Sequence, residues 1–124
     1  MLVRYLAQDD PAQSGRATDL IERRLSERDP RFISIVAMVE TVWVLQHAYN
    51  LTSPAVAAVI ERTLQAGALI VENEQEVFTA MIALKEGQGS FADVLIGPLG
   101  AKAGCSVTVT FDRSASRLSD FELL

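Results

Sequence analysis

Apolar and polar positions along the chain fall into short blocks that switch between a helical and a strand-like rhythm. Asp10-Pro11 is a helix-start signal, because Asp can cap free amides and Pro suits the first helical position. Ala17, Leu20, Ile21 and Leu25 then recur at three- and four-residue spacing, which predicts an amphipathic helix, and Asp29-Pro30 stops it. Phe32-Ile33 is short and apolar, and Ser34 can cap a long helix running to about Tyr49. Ser53-Pro54 repeats the cap-plus-proline signal. Val56, Val59, Ile60 and Leu64 give the next helical face, and Gly67 ends it. Leu69-Ile70-Val71 reads as a short buried strand, and Glu74 to Glu86 as a helix closed by Gly87 and Gly89. Phe91 to Ala103 is helical by pattern, with Gly97-Pro98 expected to kink or shorten it. Val107 to Phe111 is β-branched and strand-like, and Phe121-Glu122-Leu123 reads as a last edge strand.

Short apolar strands alternating with helices of about 10–15 residues point to βαβ units, hence an α/β fold with a parallel sheet covered on both faces. The 124 residues make about one domain. Hydrophobic residues at 49% are enough for a packed core and exclude a disordered chain, and with 6% aromatics the core must be filled by Ala, Val, Leu and Ile. No internal repeat or low-complexity linker interrupts the pattern. One irregularity stands at the start: Met1-Leu2-Val3 runs directly into Arg4-Tyr5-Leu6, leaving no opening strand.

Charge narrows the function. Eleven Lys and Arg against 16 Asp and Glu give a net charge of −5, which argues against coating nucleic acid through bulk positive charge. It leaves room for a nuclease whose site needs carboxylates. A single cysteine allows no internal disulfide and no Cys-rich zinc site, so a reducing, cytoplasmic setting is expected. No apolar run approaches the roughly 18 residues of a membrane span, and no signal peptide is expected.

Three carboxylates stand in unusual places. Glu40 interrupts Ile35 to Val39 and Val42 to Leu45, a helix apolar on nearly every side. Asp93 is flanked by Phe91-Ala92 and Val94-Leu95-Ile96, and Asp112 directly follows the strand ending at Phe111. A buried, unpaired carboxylate costs several kcal/mol, roughly, so three such placements want a cation. Ligands of open parallel sheets bind at the carboxyl ends of the strands, and an all-oxygen site there suits Mg²⁺ or Mn²⁺. Each acid also has a plain reading. Glu40 can lie on a narrow polar stripe, Asp93 can be a first-turn acid favoured by the helix dipole, and Asp112 can cap the next turn.

Other candidates are weaker. His47 has no nucleophile at a recognisable motif and reads as a surface or satisfied helical histidine. Cys105 reads as a small buried filler, and Trp43 as core or dimer interface. Gly97-Pro98-Leu99-Gly100 lacks the ending of a phosphate loop. Arg23, Arg24, Arg28 and Arg31 read as a solvated face. Arg113 and Arg117 flank Asp112 and can hold a phosphate beside a metal.

Taken together, these segments resemble the PIN-domain family, specifically its VapC-type toxins, over essentially the whole chain. Leu2 to Leu6 followed by Asp9-Asp10-Pro11 resembles the family's first helix and its exit. Phe32-Ile33-Ser34 with Glu40 resembles its Ser-then-Glu helix. Phe91 to Ile96 resembles a Phe-x-Asp-x-Leu-Ile motif, and Thr110-Phe111-Asp112-Arg113 a Thr-x-Asp strand end. The resemblance implies a three-layer α/β/α sandwich with a central parallel sheet. It implies a Mg²⁺-dependent endoribonuclease acting on RNA, the toxin of a type II toxin–antitoxin pair, a homodimer, and inhibition by a cognate antitoxin. Carried over, Glu40, Asp93 and Asp112 would be the catalytic, metal-binding carboxylates, with Ser34 and Thr110 as polar neighbours.

The chain departs from the family at one point. The family opens with a central strand ending in Asp-Thr-Asn, whose Asp is a metal ligand, and Met1 stands where the family has the next residue. A start assigned at an internal codon would produce this sequence. The rival expectation is a PIN-like module that binds a partner protein and has lost its metal.

Overall fold

A computed structural model describes residues 30–124. The expected first helix, with Asp10-Pro11 at its start and Arg23, Arg24 and Arg28 on its face, lies outside the described residues. The chain divides into two compact units, the first ending at Glu74 and the second covering Gln75–Leu124.

The described part of the first unit is a parallel strand–helix–helix–strand crossover. Strand β1 (Arg31–Ile33) is followed by helix α1 (Ile35–His47), helix α2 (Ser53–Gln65) and strand β2 (Leu69–Val71). The strands pair in parallel with Arg31, Phe32 and Ile33 opposite Leu69, Ile70 and Val71. Helix α1 starts where Ser34 suggests, because the Ser34 hydroxyl accepts the Ala37 amide at 3.1 Å. It buries Met38, Thr41, Val42 and Leu45, the spacing of one helical face, and ends at His47. Helix α2 packs on β2 and against α1, burying Val56, Ala57, Val59, Ile60 and Thr63. Its cap is Thr52, not Ser53. Thr52 keeps an extended backbone and accepts the Ala55 amide, while Ser53 and Pro54 already belong to the first turn.

Helix α3 (Glu74–Lys85), whose first residue closes the first unit, leads into the second, which holds helix α4 (Phe91–Lys102), strand β3 (Thr108–Thr110), a 3₁₀ turn at Ala115–Arg117 and strand β4 (Phe121–Leu123). Helix α3 buries Val77, Ala80, Met81 and Leu84 along one face and stops at Gly87, whose φ of +72° is the left-handed conformation glycine adopts without a Cβ penalty. Helix α4 is capped by Ser90 through the Asp93 amide and buries Phe91, Val94 and Leu95. Each of the larger of these side chains contributes about 1.5–3 kcal/mol by leaving water. Gly97-Pro98, expected to kink or shorten α4, does not shorten it. The helix runs on to Lys102 with Pro98 inside it. Proline crowds the Cβ of the residue before it, and that residue is Gly97, which has none. Strands β3 and β4 pair in parallel, Thr108, Val109 and Thr110 opposite Phe121, Glu122 and Leu123.

The fold is α/β with short parallel strands. Among the described residues the strands form two separate pairs, β1–β2 and β3–β4.

Candidate active-site carboxylates

Glu40 sits on the solvent side of α1, in an open groove of about 390 Å³ that Ile35, Val36, Val39 and Trp43 also line. The expectation that the three acids are costly buried charges is corrected here: Glu40 and Asp112 are exposed and Asp93 is half-buried. The reason lies in α1 itself. Its residues are apolar around nearly the whole circumference, so periodicity could not say which side meets the core. Packing takes Met38, Thr41, Val42 and Leu45 and leaves Val36, Glu40 and Trp43 outside.

Trp43 is therefore not core; it is 59% exposed. Its ring stacks on His47 with centroids 4.3 Å apart and planes 17° from parallel. His47 Nδ1 lies 2.8 Å from the Trp43 carbonyl oxygen, which can only accept, so Nδ1 carries the proton in this bond. His47 is the satisfied helical histidine the sequence suggested.

Asp93 occupies the first turn of α4, where the helix's unpaired amides favour an anion. Asp112 follows β3 and organises the turn after it. Its amide donates to Thr110 Oγ1 at 3.0 Å, and its Oδ1 accepts the Ser114 amide at 2.8 Å. The Asp112 carbonyl accepts from the Ser116 amide, and Ser116 Oγ donates to the Arg113 carbonyl at 2.7 Å. Arg113 and Arg117 are both exposed on this turn. The hydroxyls of Ser34 and Thr110 are engaged as backbone acceptors, one capping a helix and one a turn.

Carboxylate oxygens are the donors a hard divalent cation takes, so the chemistry of Glu40, Asp93 and Asp112 fits Mg²⁺ or Mn²⁺. Glu40 belongs to the first unit and the two aspartates to the second. Among the described residues, no three His, Cys, Asp or Glu side chains gather closely enough to hold a metal ion.

Sequence reading missed two acids. Glu72, just past β2, accepts the first amide of α1 through Oε1. Asp120, just before β4, lies against α4 where Gly97 leaves room. Glu72 carried a weak signal as an acid ending an apolar strand; Asp120 carried none. Cys105 is corrected as well. It is exposed in the turn after α4, not buried, with its amide donating to the Gly100 carbonyl.

The PIN domain model matches residues 1–120, and the chain belongs to the PIN domain family. PIN domains are generally metal-dependent nucleases that act on RNA or other nucleic acids, often within toxin–antitoxin systems. No curated protein and no solved structure gives a significant match. Among the described residues, no helix is long and apolar enough to cross a membrane.

Proposed function

We propose that the chain is a Mg²⁺-dependent endoribonuclease of the VapC type, the toxin of a type II toxin–antitoxin pair. In this reading residues 1–124 form one three-layer α/β/α domain, cytoplasmic and homodimeric, held inactive by a cognate antitoxin. The observation that carries it is the PIN match, which spans the segments bearing Glu40, Asp93 and Asp112. These three would hold the ion. A bound Mg²⁺ supplies an acidified water and neutralises charge on the phosphate. The chain's own residues do the rest. Arg113 and Arg117, exposed beside Asp112, hold the RNA phosphate. Thr110 and Ser34 fix the local backbone that presents Asp112 and starts the helix of Glu40. With a net charge of −5, steering toward RNA rests on those local arginines.

The test is RNA cleavage by the purified chain with Mg²⁺, with a chelator in place of Mg²⁺, and by the Asp93→Asn variant. Cleavage only in the first arm supports the reading. Equal cleavage by Asp93→Asn would overturn the assignment of that residue.

A second reading is a metal-free PIN module that binds a partner protein, the rival the sequence left open. Titration calorimetry with Mg²⁺ and Mn²⁺ separates the two, since absent binding heat supports the module.

A further inference from the structure

Helix α1 carries apolar residues on nearly every side. Ile35, Val36, Val39 and Trp43 line its open groove, while Met38, Val42 and Leu45 are buried. Burial of apolar surface is non-directional, so it favours several rotations of such a helix about its axis almost equally. A directional contact has to select one of them.

Glu72 supplies that contact. Its Oε1 accepts the Ile35 amide at 2.9 Å in a half-buried position, across 37 residues of sequence. The Glu72 amide donates to the Ile33 carbonyl at 2.9 Å, which fixes Glu72 to the end of the β1–β2 pair. Strand β1 and α1 are joined by Ser34 alone. The bond from the Ala37 amide to the Ser34 hydroxyl is local to the helix end, so it starts the helix without aiming it. The bond from Ile35 to Glu72 ties that end to the strands in one direction and at one distance.

The rotation so fixed places one stripe. Val36, Glu40, Trp43 and His47 recur at four-, three- and four-residue spacing, and all four are exposed. A turn of the helix would therefore carry Glu40 and Trp43 together. We infer that Glu72 is a positioning residue: it sets the rotation of α1 on the β1–β2 pair and thereby where Glu40 stands. A cap alone would stabilise the start of the helix and leave its rotation unchanged. The consequence for metal binding at Glu40 rests on the nuclease reading, and the rotation itself does not.

Trp43 is the only tryptophan of the chain, so its fluorescence reports the position of the stripe. Its stack on His47 lies within α1 and turns with it. The test compares the full chain with Glu72→Ala, Glu72→Gln and Ile60→Val, well below their melting temperatures. Ile60 is buried on α2, and its truncation controls for lost stability alone. In Glu72→Ala the Trp43 emission is expected to move to shorter wavelength and acrylamide to quench it less, because rotation takes the indole out of the exposed stripe. Its Mn²⁺ affinity, measured by calorimetry, is expected to fall about tenfold or more. Glu72→Gln keeps the acceptor oxygen and should match the full chain in both readouts, as should Ile60→Val. An unmoved Trp43 signal in Glu72→Ala, a Glu72→Gln variant as altered as Glu72→Ala, or the same change in Ile60→Val overturns the inference. A moved signal with unchanged Mn²⁺ affinity overturns the link to Glu40. A full chain that binds no Mn²⁺ and cleaves no RNA overturns the nuclease reading, and the fluorescence still decides the rotation.

Discussion

Glu72 Oε1 accepts the backbone amide of Ile35 at 2.9 Å, while the Glu72 amide donates to the Ile33 carbonyl at 2.9 Å. One residue after β2 thus closes the end of the β1–β2 ladder and satisfies the first amide of α1. With Ser34 on the Ala37 amide, two of the helix's four orphan donors have partners. Glu72→Ala is expected to cost about 1 kcal/mol and lower the melting temperature by several degrees. Glu72→Gln keeps an acceptor oxygen and should recover most of that loss. Thermal melts of the two variants check the assignment.

Helix α4 approaches β3 and β4 through Gly97 and Gly100. A Cβ at Gly100 would lie 2.7 Å from Thr108 Oγ1, and one at Gly97 would lie 2.9 Å from Asp120 Cβ. Gly100→Ala should destabilise by about 1–3 kcal/mol through overpacking. Adding Thr108→Ala removes the opposing atom and should restore a good part of it. Denaturant midpoints of the single and double variants give the coupling, and a purely additive result would rule out the contact as the cause.

Asp112 has two separable roles, in the turn and in the proposed chemistry. Asp112→Asn keeps an oxygen for the Ser114 amide and removes the charge, so the fold should persist while Mg²⁺-dependent RNA cleavage falls by about a hundredfold or more. Asp112→Ala should lose cleavage and also lower the melting temperature. Glu40→Gln, at an exposed position, should cost cleavage with no measurable change in stability.

Arg113 and Arg117 are the proposed phosphate contacts. Replacing each by alanine should weaken binding of single-stranded RNA about equally across sequences. It should also flatten the salt dependence of the affinity by about 0.7 logarithmic units per arginine removed. Fluorescence anisotropy at several salt concentrations measures this. An unchanged slope would assign the two residues to the solvated surface.

Local chemistry in the chain determined a good deal by itself. Ser34 and Gly87 mark helix ends because capping uses only the residue and its nearest amides. The spacing of Val56, Val59 and Ile60 marks a buried face, and the β-branched run from Val107 marks β3, so an α/β class with parallel strands was readable. The acids at Glu40, Asp93 and Asp112 could be named from position and resemblance. Their exposure could not, because a helix apolar on nearly every side, as α1 is, leaves the choice of buried face to its partners. The same holds for Trp43 and Cys105, which look like core material and lie outside. Pro98 in α4, Glu72 on Ile35 and Asp120 against Gly97 were decided by tertiary structure, since each depends on a neighbour distant in sequence or on a residue that makes room by having no side chain.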